Sequence, residues 1–247
     1  MKLKSVLTMA AMIFFVAANA QTLKTADEVL AKYFENTGGL EKWKALKSFT
    51  QKGKAFMGQE FPMMIYAKAP NKIKMVVNVQ GTELILQAYD GATAWSLNPF
   101  QGGKDPVKMD DEAAKELKDE EFEEDFIDYK KKGHEVTLEG TEEIDGVKCY
   151  KIKLVKNKNN PKDDATEIHF FDAENLVPIV QYSYVRTGPE KGTEVKTYLS
   201  DYQESGGLIF PFSMEQKVNG QTVFKATIEK ITINDVADDS IFAFPKK

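Results

Sequence analysis

Strand-length stretches of alternating apolar and polar residues fill most of the chain after Ser48, and this alternation constrains the fold more than any other feature. In KIKMVVNV at residues 72–79, every second side chain is apolar, as expected for a β-strand with one buried face. Similar stretches are separated by the turn motifs Asp90-Gly91, Asp145-Gly146 and Asn219-Gly220. Short strands joined by tight turns predict an antiparallel meander, folded as a sandwich or as a curled, barrel-like sheet.

The turn at Asn219-Gly220 allows the pairing of its two strands to be predicted from side-chain alternation. A three-residue loop of residues 218–220 places Met214 opposite Phe224 and keeps one face of the hairpin apolar, with the glycine at positive φ. A two-residue loop would place Met214 opposite Lys225 and lose that apolar face. The pattern therefore favours the three-residue loop.

Two other Asp-Gly turns are interpreted in the same way. A three-residue loop of residues 144–146 places Leu138 opposite Ile152, which again gathers apolar side chains on one face. At the earlier turn, a two-residue loop places Leu86 opposite Trp95. A bulged loop fits that turn almost as well, so both pairings stay open there.

Helical patterns precede the strands and interrupt them once. Thr25 and Glu28 have the spacing of a capping box, and apolar residues then recur at helical spacing up to Gly38-Gly39. A second short helix is predicted over residues 40–46. The acidic segment, from residue 109 to about 130, is predicted to be mostly helical and solvent-facing. Three of its apolar residues are predicted to face the sheet: Leu117, Phe122 and Phe126.

The first twenty residues have the features of a secretory signal peptide. Lys2 and Lys4 precede an apolar run that is too short for a membrane span, and Ala18-Asn19-Ala20 matches a small-x-small cleavage site. We therefore expect a signal peptide over residues 1–20 and one mature domain over residues 21–247. Because residue 21 is Gln and not Cys, we expect no lipid on an N-terminal cysteine. The predicted location is the periplasm.

Negative charge is concentrated in one stretch of the chain. Residues 110–125 contain ten acidic residues and two lysines, a net charge of −8. Removing Lys2 and Lys4 changes the charge of the whole chain from −5 to −7, so the rest of the mature chain carries +1. Without a basic patch to neutralise phosphates, nucleic acid is not an expected partner. Cys149 is the only cysteine, so an intramolecular disulfide is impossible.

Candidate catalytic groups are few. His134 and His169 are the only histidines, both lie in predicted strands, and neither belongs to a nucleophile or zinc motif. We expect both to be ordinary strand residues, and we expect no catalysis, metal or cofactor. Methionines cluster in the first strands, where flexible apolar side chains suit a surface that accepts varied apolar shapes. They are Met57, Met63, Met64 and Met75.

Several short motifs follow one another in a characteristic order and spacing. They are GGLEKWKALKSF (38–49), KAPNKIKM (68–75), QAYDGATAW (87–95) followed by NPF, FIDYKKKGHEVTLEGTEEIDGVKCYKIKL (126–154), HFFDAENLVP (169–178), YLSDYQESGGLIFPFSM (198–214) and ITINDVADDSIFAFP (231–245). Together they resemble the LolA-like outer-membrane lipoprotein-sorting proteins, in particular the type common in Bacteroidetes. The resemblance covers nearly all of the mature chain.

The resemblance implies a mainly β fold with helices. Its form would be an incompletely closed antiparallel β-barrel, with an N-terminal helix and a mid-chain helix covering the open side. In that family the enclosed space holds acyl chains and there is no catalysis. The carrier takes a lipoprotein from an inner-membrane lipoprotein-release transporter to an acceptor at the outer membrane. An early-strand Arg holds the lid of the best-studied carriers, but this chain has no Arg before Arg186.

The expected function is therefore that of a monomeric periplasmic carrier for the acyl chains of lipoproteins or other lipids. The alternative is an interaction or sensor domain of the same fold, with or without lipid binding, and an enzyme is the third hypothesis. Alternation defines strand partners but leaves open which face is concave. The residues predicted to line the apolar cavity are Met63, Ile65, Met75, Val77, Leu86, Trp95, Phe212 and Phe224.

Overall fold

Antiparallel strands account for most of the described chain, which in this computed structural model comprises residues 22–56, 58–100, 105–156, 165–236 and 238–245. The predicted signal peptide and Met57 lie outside the described residues. The helices are α1 (Ala26–Asn36), α2 (Leu40–Ala45) and α3 (Lys115–Asp119), and a 3₁₀-helix spans Asp239–Phe242. The strands are β1 (Ser48–Phe56), β2 (Glu60–Lys68), β3 (Lys72–Val79), β4 (Thr82–Tyr89), β5 (Ala94–Leu97), β6 (Val107–Lys108), β7 (Glu135–Ile144), β8 (Val147–Val155), β9 (Thr166–Asp172), β10 (Pro178–Tyr184), β11 (Glu194–Ser205), β12 (Leu208–Val218) and β13 (Gln221–Ile233).

The strands form one sheet in the order β6-β5-β4-β3-β2-β1-β13-β12-β11-β10-β9-β8-β7. Neighbours in the sheet are also neighbours in the chain, except that β13 returns to pair with β1. The edge strands β6 and β7 do not pair with each other among the described residues, so the sheet is not closed. The predicted class, a mainly β protein with an incompletely closed antiparallel barrel and few helices, is confirmed.

The acidic segment connects the two edges of this sheet. It leaves β6 at one edge and enters β7 at the other. Its path therefore crosses the open side of the curved sheet. The predicted mid-chain helix is largely wrong, because only Lys115–Asp119 is helical. Carboxylates four positions apart, such as Glu116 with Glu120 and Glu120 with Glu124, repel each other in a helix and oppose a longer one.

The hairpin at Asn219-Gly220 has a two-residue loop, and the predicted three-residue loop is wrong. Val218 pairs with Gln221, and both loop residues have positive φ, 51° for Asn219 and 76° for Gly220. Such a turn matches the twist of the flanking strands. A bulge between Gln216 and Lys217 then shifts the register, so Met214 lies opposite Ala226 and not Phe224.

The hairpin at Asp145-Gly146 follows the same pattern. Its loop also has two residues, because Ile144 pairs with Val147. A register shift between Leu138 and Gly140 restores the predicted pairing of Leu138 with Ile152. The partners were therefore predicted correctly, whereas the extra residue lies within β7 and not in the loop.

At Asp90-Gly91, both proposed registers are wrong. Trp95 lies opposite Ala88, and the Asp90 carboxylate accepts hydrogen bonds from the backbone N–H groups of Ala92 and Thr93 at 2.8 and 2.7 Å. This side-chain bonding forms a longer turn than a two-residue loop. As a result, Trp95 is displaced from the register that would pair it with Leu86.

The helices α1 and α2 pack on one face of the sheet. The predicted capping box is present, with the Thr25 hydroxyl accepting from Glu28 N–H and the Glu28 carboxylate accepting from Thr25 N–H. Tyr33 of α1 meets Phe171 edge to face at 5.4 Å between ring centroids, and Trp43 of α2 meets Phe210 at 5.2 Å. These contacts bury the apolar stripe of α1 against the sheet.

Candidate functional site

Seven of the eight predicted cavity residues share the face of the sheet that α1 and α2 cover. Met63, Ile65, Val77 and Phe212 are buried in the main apolar cluster, which also contains the apolar residues of α1. The remaining three, Met75, Leu86 and Phe224, are partly buried and pack against that cluster. Strand alternation therefore placed these seven side chains on one face correctly. The structure adds that α1 and α2 cover this face.

Trp95 is the exception and lies on the other face of the sheet. It is 1% exposed and packs with Val76, Ile85 and Ala88 in a separate cluster. Its Nε1–H donates to the Phe242 carbonyl over 2.9 Å, so the C-terminal segment covers it. The prediction that Trp95 faces the same side as Leu86 is wrong because of the register changes on β4.

Two cavities lie between the sheet and its cover. The first has a volume of about 330 Å³ and the second about 590 Å³. Phe49 and Phe122 line both, together with Glu120 and Glu121, so this part of the acidic segment forms a wall between them. None of the eight predicted residues lines either cavity. In this conformation, the predicted acyl-contact residues are packed within the core.

The acidic segment holds its place through both apolar and charged contacts. Phe122 stacks near Phe49 at 5.6 Å between centroids and its N–H donates to Pro70 O at 2.8 Å. Phe126 is 3% exposed, and Leu117 packs against the cluster around Tyr89. All three apolar residues predicted to face the sheet therefore do so, although most of the segment is not helical.

Charged contacts also hold the first half and the end of the acidic segment. Arg186 Nη2 lies 3.2 Å from Asp119 Oδ2, and the backbone N–H of Gly188 donates to Glu112 Oε1 at 3.0 Å. Near the start of β7, Lys130 Nζ lies 2.8 Å from Asp27 Oδ2 on α1. These pairs are exposed or half-exposed, so each contributes little, but together they connect the segment to the β10–β11 loop and to α1.

A charged network forms one wall of the first cavity. Lys156 Nζ lies 2.6 Å from Asp125 Oδ2 of the acidic segment and 2.9 Å from Glu167 Oε1 of β9. His169 Nε2 lies 3.0 Å from Glu167 Oε2, which also accepts from Gln181 Nε2 at 2.8 Å. The charged groups of this wall thus satisfy one another, as burial requires.

The pKa values of this network reflect its mutual pairing. Burial alone would raise the pKa of Glu167, but the His169 and Lys156 contacts lower it to about 2. Burial likewise opposes the charged form of Lys156, yet Glu167 and Asp125 raise its pKa above the ordinary value. Both groups therefore stay charged at neutral pH.

Glu124 differs from its neighbours because its carboxylate has no hydrogen bond or ion pair within the described residues. Part of the residue still reaches the surface, but protein surrounds the carboxylate, which lines the first cavity. Burial, with a smaller contribution from Asp125, raises the pKa of Glu124 to about 7. Glu120 lines the same cavity; the residue is exposed at the surface, but protein packed around its carboxylate raises its pKa as well.

The sequence patterns described above do not predict this charged wall. His169 was expected to be an ordinary strand residue, and it is buried with its imidazole against the Glu167 carboxylate. A signal was present in TEIHFFD, because Glu167 and His169 alternate with Ile168 and share a face with buried Phe171. A charged residue within an alternating apolar face predicts a buried polar contact.

No protein-family model and no curated protein sequence matches this chain. Solved structures do match. A LolA superfamily protein from Nitrosomonas europaea has 12% identity and a TM-score of 0.55, covering 90% of this chain and 98% of its own. A putative outer membrane lipoprotein-sorting protein domain from Vibrio parahaemolyticus has 9% identity and a TM-score of 0.54, covering 87% and 94%.

A third match is a DUF1329 family protein from Desulfovibrio piger, with 14% identity and a TM-score of 0.54, covering 87% of this chain and 97% of its own. At such low identities, the likeness extends to the fold alone. The chain therefore has the open-barrel fold seen in LolA superfamily and lipoprotein-sorting structures. Among the described helices, none combines the length and apolar character needed to cross a membrane.

Proposed function

We propose that the protein is a periplasmic carrier that shields acyl chains of lipoproteins or other lipids beneath the cover of its open sheet and moves them toward the outer membrane. A single observation carries this proposal. The apolar face of an unclosed sheet lies under two helices and a separate, charge-anchored segment, with cavities already present between them. Displacing the cover would expose that face to an acyl chain, and each buried CH₂ contributes about 0.8 kcal/mol.

Binding of an acyl chain would replace contacts between the sheet and its cover by contacts with the ligand. Met63, Ile65 and Val77 pack in the apolar cluster that includes α1, and an acyl chain would take over part of these contacts. The partly buried residues at the margin of the cluster would meet the chain first. Methionine and phenylalanine at this margin, Met75 and Phe224, suit a ligand of variable shape. An inner-membrane release transporter and an outer-membrane acceptor would be the partners.

The carrier is proposed to have no catalytic activity. Among the described residues that line the first cavity, none is Ser, Thr or Cys. Burial raises the pKa of the Cys149 thiol to about 11, so the thiolate nucleophile is scarce at neutral pH. His169 and Lys156 both pair with the Glu167 carboxylate, so neither side chain is free to act on a substrate.

Uptake of a fluorescent long-chain acyl probe with an uncharged head tests the proposal. Phe224→Asp and Met75→Asp would place a charge where acyl carbons should lie, at a cost of several kcal/mol if the charge is buried without a partner. We expect saturable uptake by the wild type and at least tenfold weaker uptake by both variants. Because both side chains are only partly buried, the variants should still fold.

Val223→Asp is the matched control, since Val223 adjoins Phe224 on β13 but is 58% exposed. It should take up the probe like the wild type. If the wild type shows no saturable uptake, the carrier proposal is wrong, and an interaction or sensor domain of the same fold replaces it. Equal losses in all three variants would show that uptake does not involve the covered face.

A further inference from the structure

The charges around the first cavity do not balance. Six carboxylates line it, and two lysines accompany them. Lys132 pairs with Glu121 and Glu123 at 3.5 and 3.0 Å, and Lys156 pairs with Asp125 and Glu167. This leaves Glu120 and Glu124 without an ion pair among the described residues.

Aromatic rings form another wall of the cavity. Tyr33, Trp43, Phe210 and Tyr202 line it, and Phe126 of the acidic segment also borders the cavity. The Tyr202 hydroxyl donates to the Pro178 carbonyl, and Tyr33 and Trp43 are almost fully buried, so these rings are held in place. A carboxylate without a partner, facing aromatic rings in a half-open cavity, is the combination that attracts a cation.

We infer that the first cavity binds the polar end of an amphiphilic ligand, and that this end is a protonated amine placed between the Glu124 carboxylate and the aromatic wall. This inference rests on the proposed function, because it names the chemical class of ligand that the carrier prefers. The apolar tail would enter the second cavity beyond Phe122, where Ile73, Leu117 and Met214 are among the lining residues.

The groups that face Glu124 favour this assignment over an anionic head. Asp125 and Glu167 add negative charge near it, whereas Lys156 and His169 are already engaged by those same carboxylates. A ligand carboxylate or phosphate would meet uncompensated like charge in a poorly solvated space. A protonated amine would offset the burial and the smaller repulsion from Asp125 that together raise the pKa of Glu124 to about 7.

Competition against the uncharged acyl probe tests the inference with three ligands of one chain length. Dodecylamine, dodecanoate and uncharged N-dodecylacetamide are titrated at about pH 8, where the carboxylates and the amine are charged. We expect dodecylamine to compete about tenfold more tightly than N-dodecylacetamide, and dodecanoate to compete most weakly. Equal competition by all three, or tighter competition by dodecanoate, would overturn the inference and leave the carrier proposal intact.

Glu124→Gln and Glu41→Gln form the matched pair of variants. Each removes one negative charge, but Glu41 is exposed on α2, away from the first cavity. Glu124→Gln should reduce the advantage of dodecylamine over N-dodecylacetamide several-fold, and Glu41→Gln should leave that advantage unchanged. An unchanged advantage in Glu124→Gln would contradict the role of this carboxylate. Failure of the probe itself to bind wild type would instead refute the carrier proposal.

Discussion

The indole of Trp95 lies on the face of the sheet opposite to the proposed acyl site, covered by the C-terminal segment. Trp95→Phe would keep most of the buried ring and remove the donor to the Phe242 carbonyl. We expect a loss of about 1–3 kcal/mol in the free energy of unfolding, measured by urea denaturation, because the carbonyl is left unsatisfied. Acyl-probe uptake should stay at the wild-type level, and reduced uptake at unchanged stability would place Trp95 in the acyl site after all.

Glu124 provides a pH dependence that can be measured on the folded protein. Its folded-state pKa of about 7 lies above the ordinary value of 4.5, so the folded state binds this proton more tightly than the unfolded state. The resulting stabilisation is fully present below about pH 4.5 and is lost as the pH rises through 7. Glu124→Gln should therefore gain roughly 1–3 kcal/mol relative to wild type between about pH 5 and pH 8. A difference that does not change with pH would show that the carboxylate is well solvated.

Single residues also show the limit of prediction from sequence. The apolar residues of one face were found from alternation because each strand repeats every second residue. The charged wall was not found, since Asp125, Lys156 and Glu167 come from different elements, and their meeting depends on how the acidic segment crosses the sheet. Only Glu167 and His169, two residues apart on β9, carried a local signal.

At the scale of the elements, we expect the exposed contacts of the acidic segment to contribute little to the stability of the sheet. Glu112, Glu116 and Asp119 contact the β10–β11 loop at Arg186 and Gly188, and such exposed contacts contribute about 0–1 kcal/mol each. We predict that the triple variant Glu112→Gln, Glu116→Gln, Asp119→Asn keeps the wild-type unfolding transition. Its amide hydrogen exchange should increase within the acidic segment, and its association with membranes or partner proteins should change.

Two outcomes would contradict this account of the acidic segment. A collapse of stability in the triple variant would show that the segment is part of the structural core. Unchanged hydrogen exchange and unchanged association would show that its charges neither anchor it nor mediate contacts. Neutralising exposed Glu83 and Glu143 on β4 and β7, outside the segment, provides the control for a general effect of charge.

Strands and hairpins were predicted far better than the details of their register. β3 spans Lys72–Val79, the stretch in which alternation indicated a strand, because strand propensity is a local property. The bulges between Gln216 and Lys217 and between Leu138 and Gly140 were placed in the loops instead. Side-chain alternation alone cannot locate an extra residue. A bulge at any position between the turn and the paired residues leaves the same side chains on the same face.

At the scale of the whole molecule, the main apolar cluster and the two cavities lie between the unclosed sheet and its cover. The pairing of β13 with β1 joins the two halves of the sheet, and within the described part of the chain β6 and β7 are its edges, with the acidic segment running from one to the other. The order of strands could not be derived from alternation, because the β1–β13 contact joins distant parts of the chain. The family resemblance supplied the incompletely closed barrel, but not the pairing of β13 with β1.

The measurement that tests the central claim most directly is mass spectrometry of an organic extract of the protein, purified from the periplasm without detergent. The account predicts long-chain lipid in the extract of the wild type and markedly less in that of Phe224→Asp, with Val223→Asp resembling the wild type. If wild-type protein yields no lipid and also fails to take up the acyl probe saturably, the covered face is an ordinary core and the protein is not a lipid carrier.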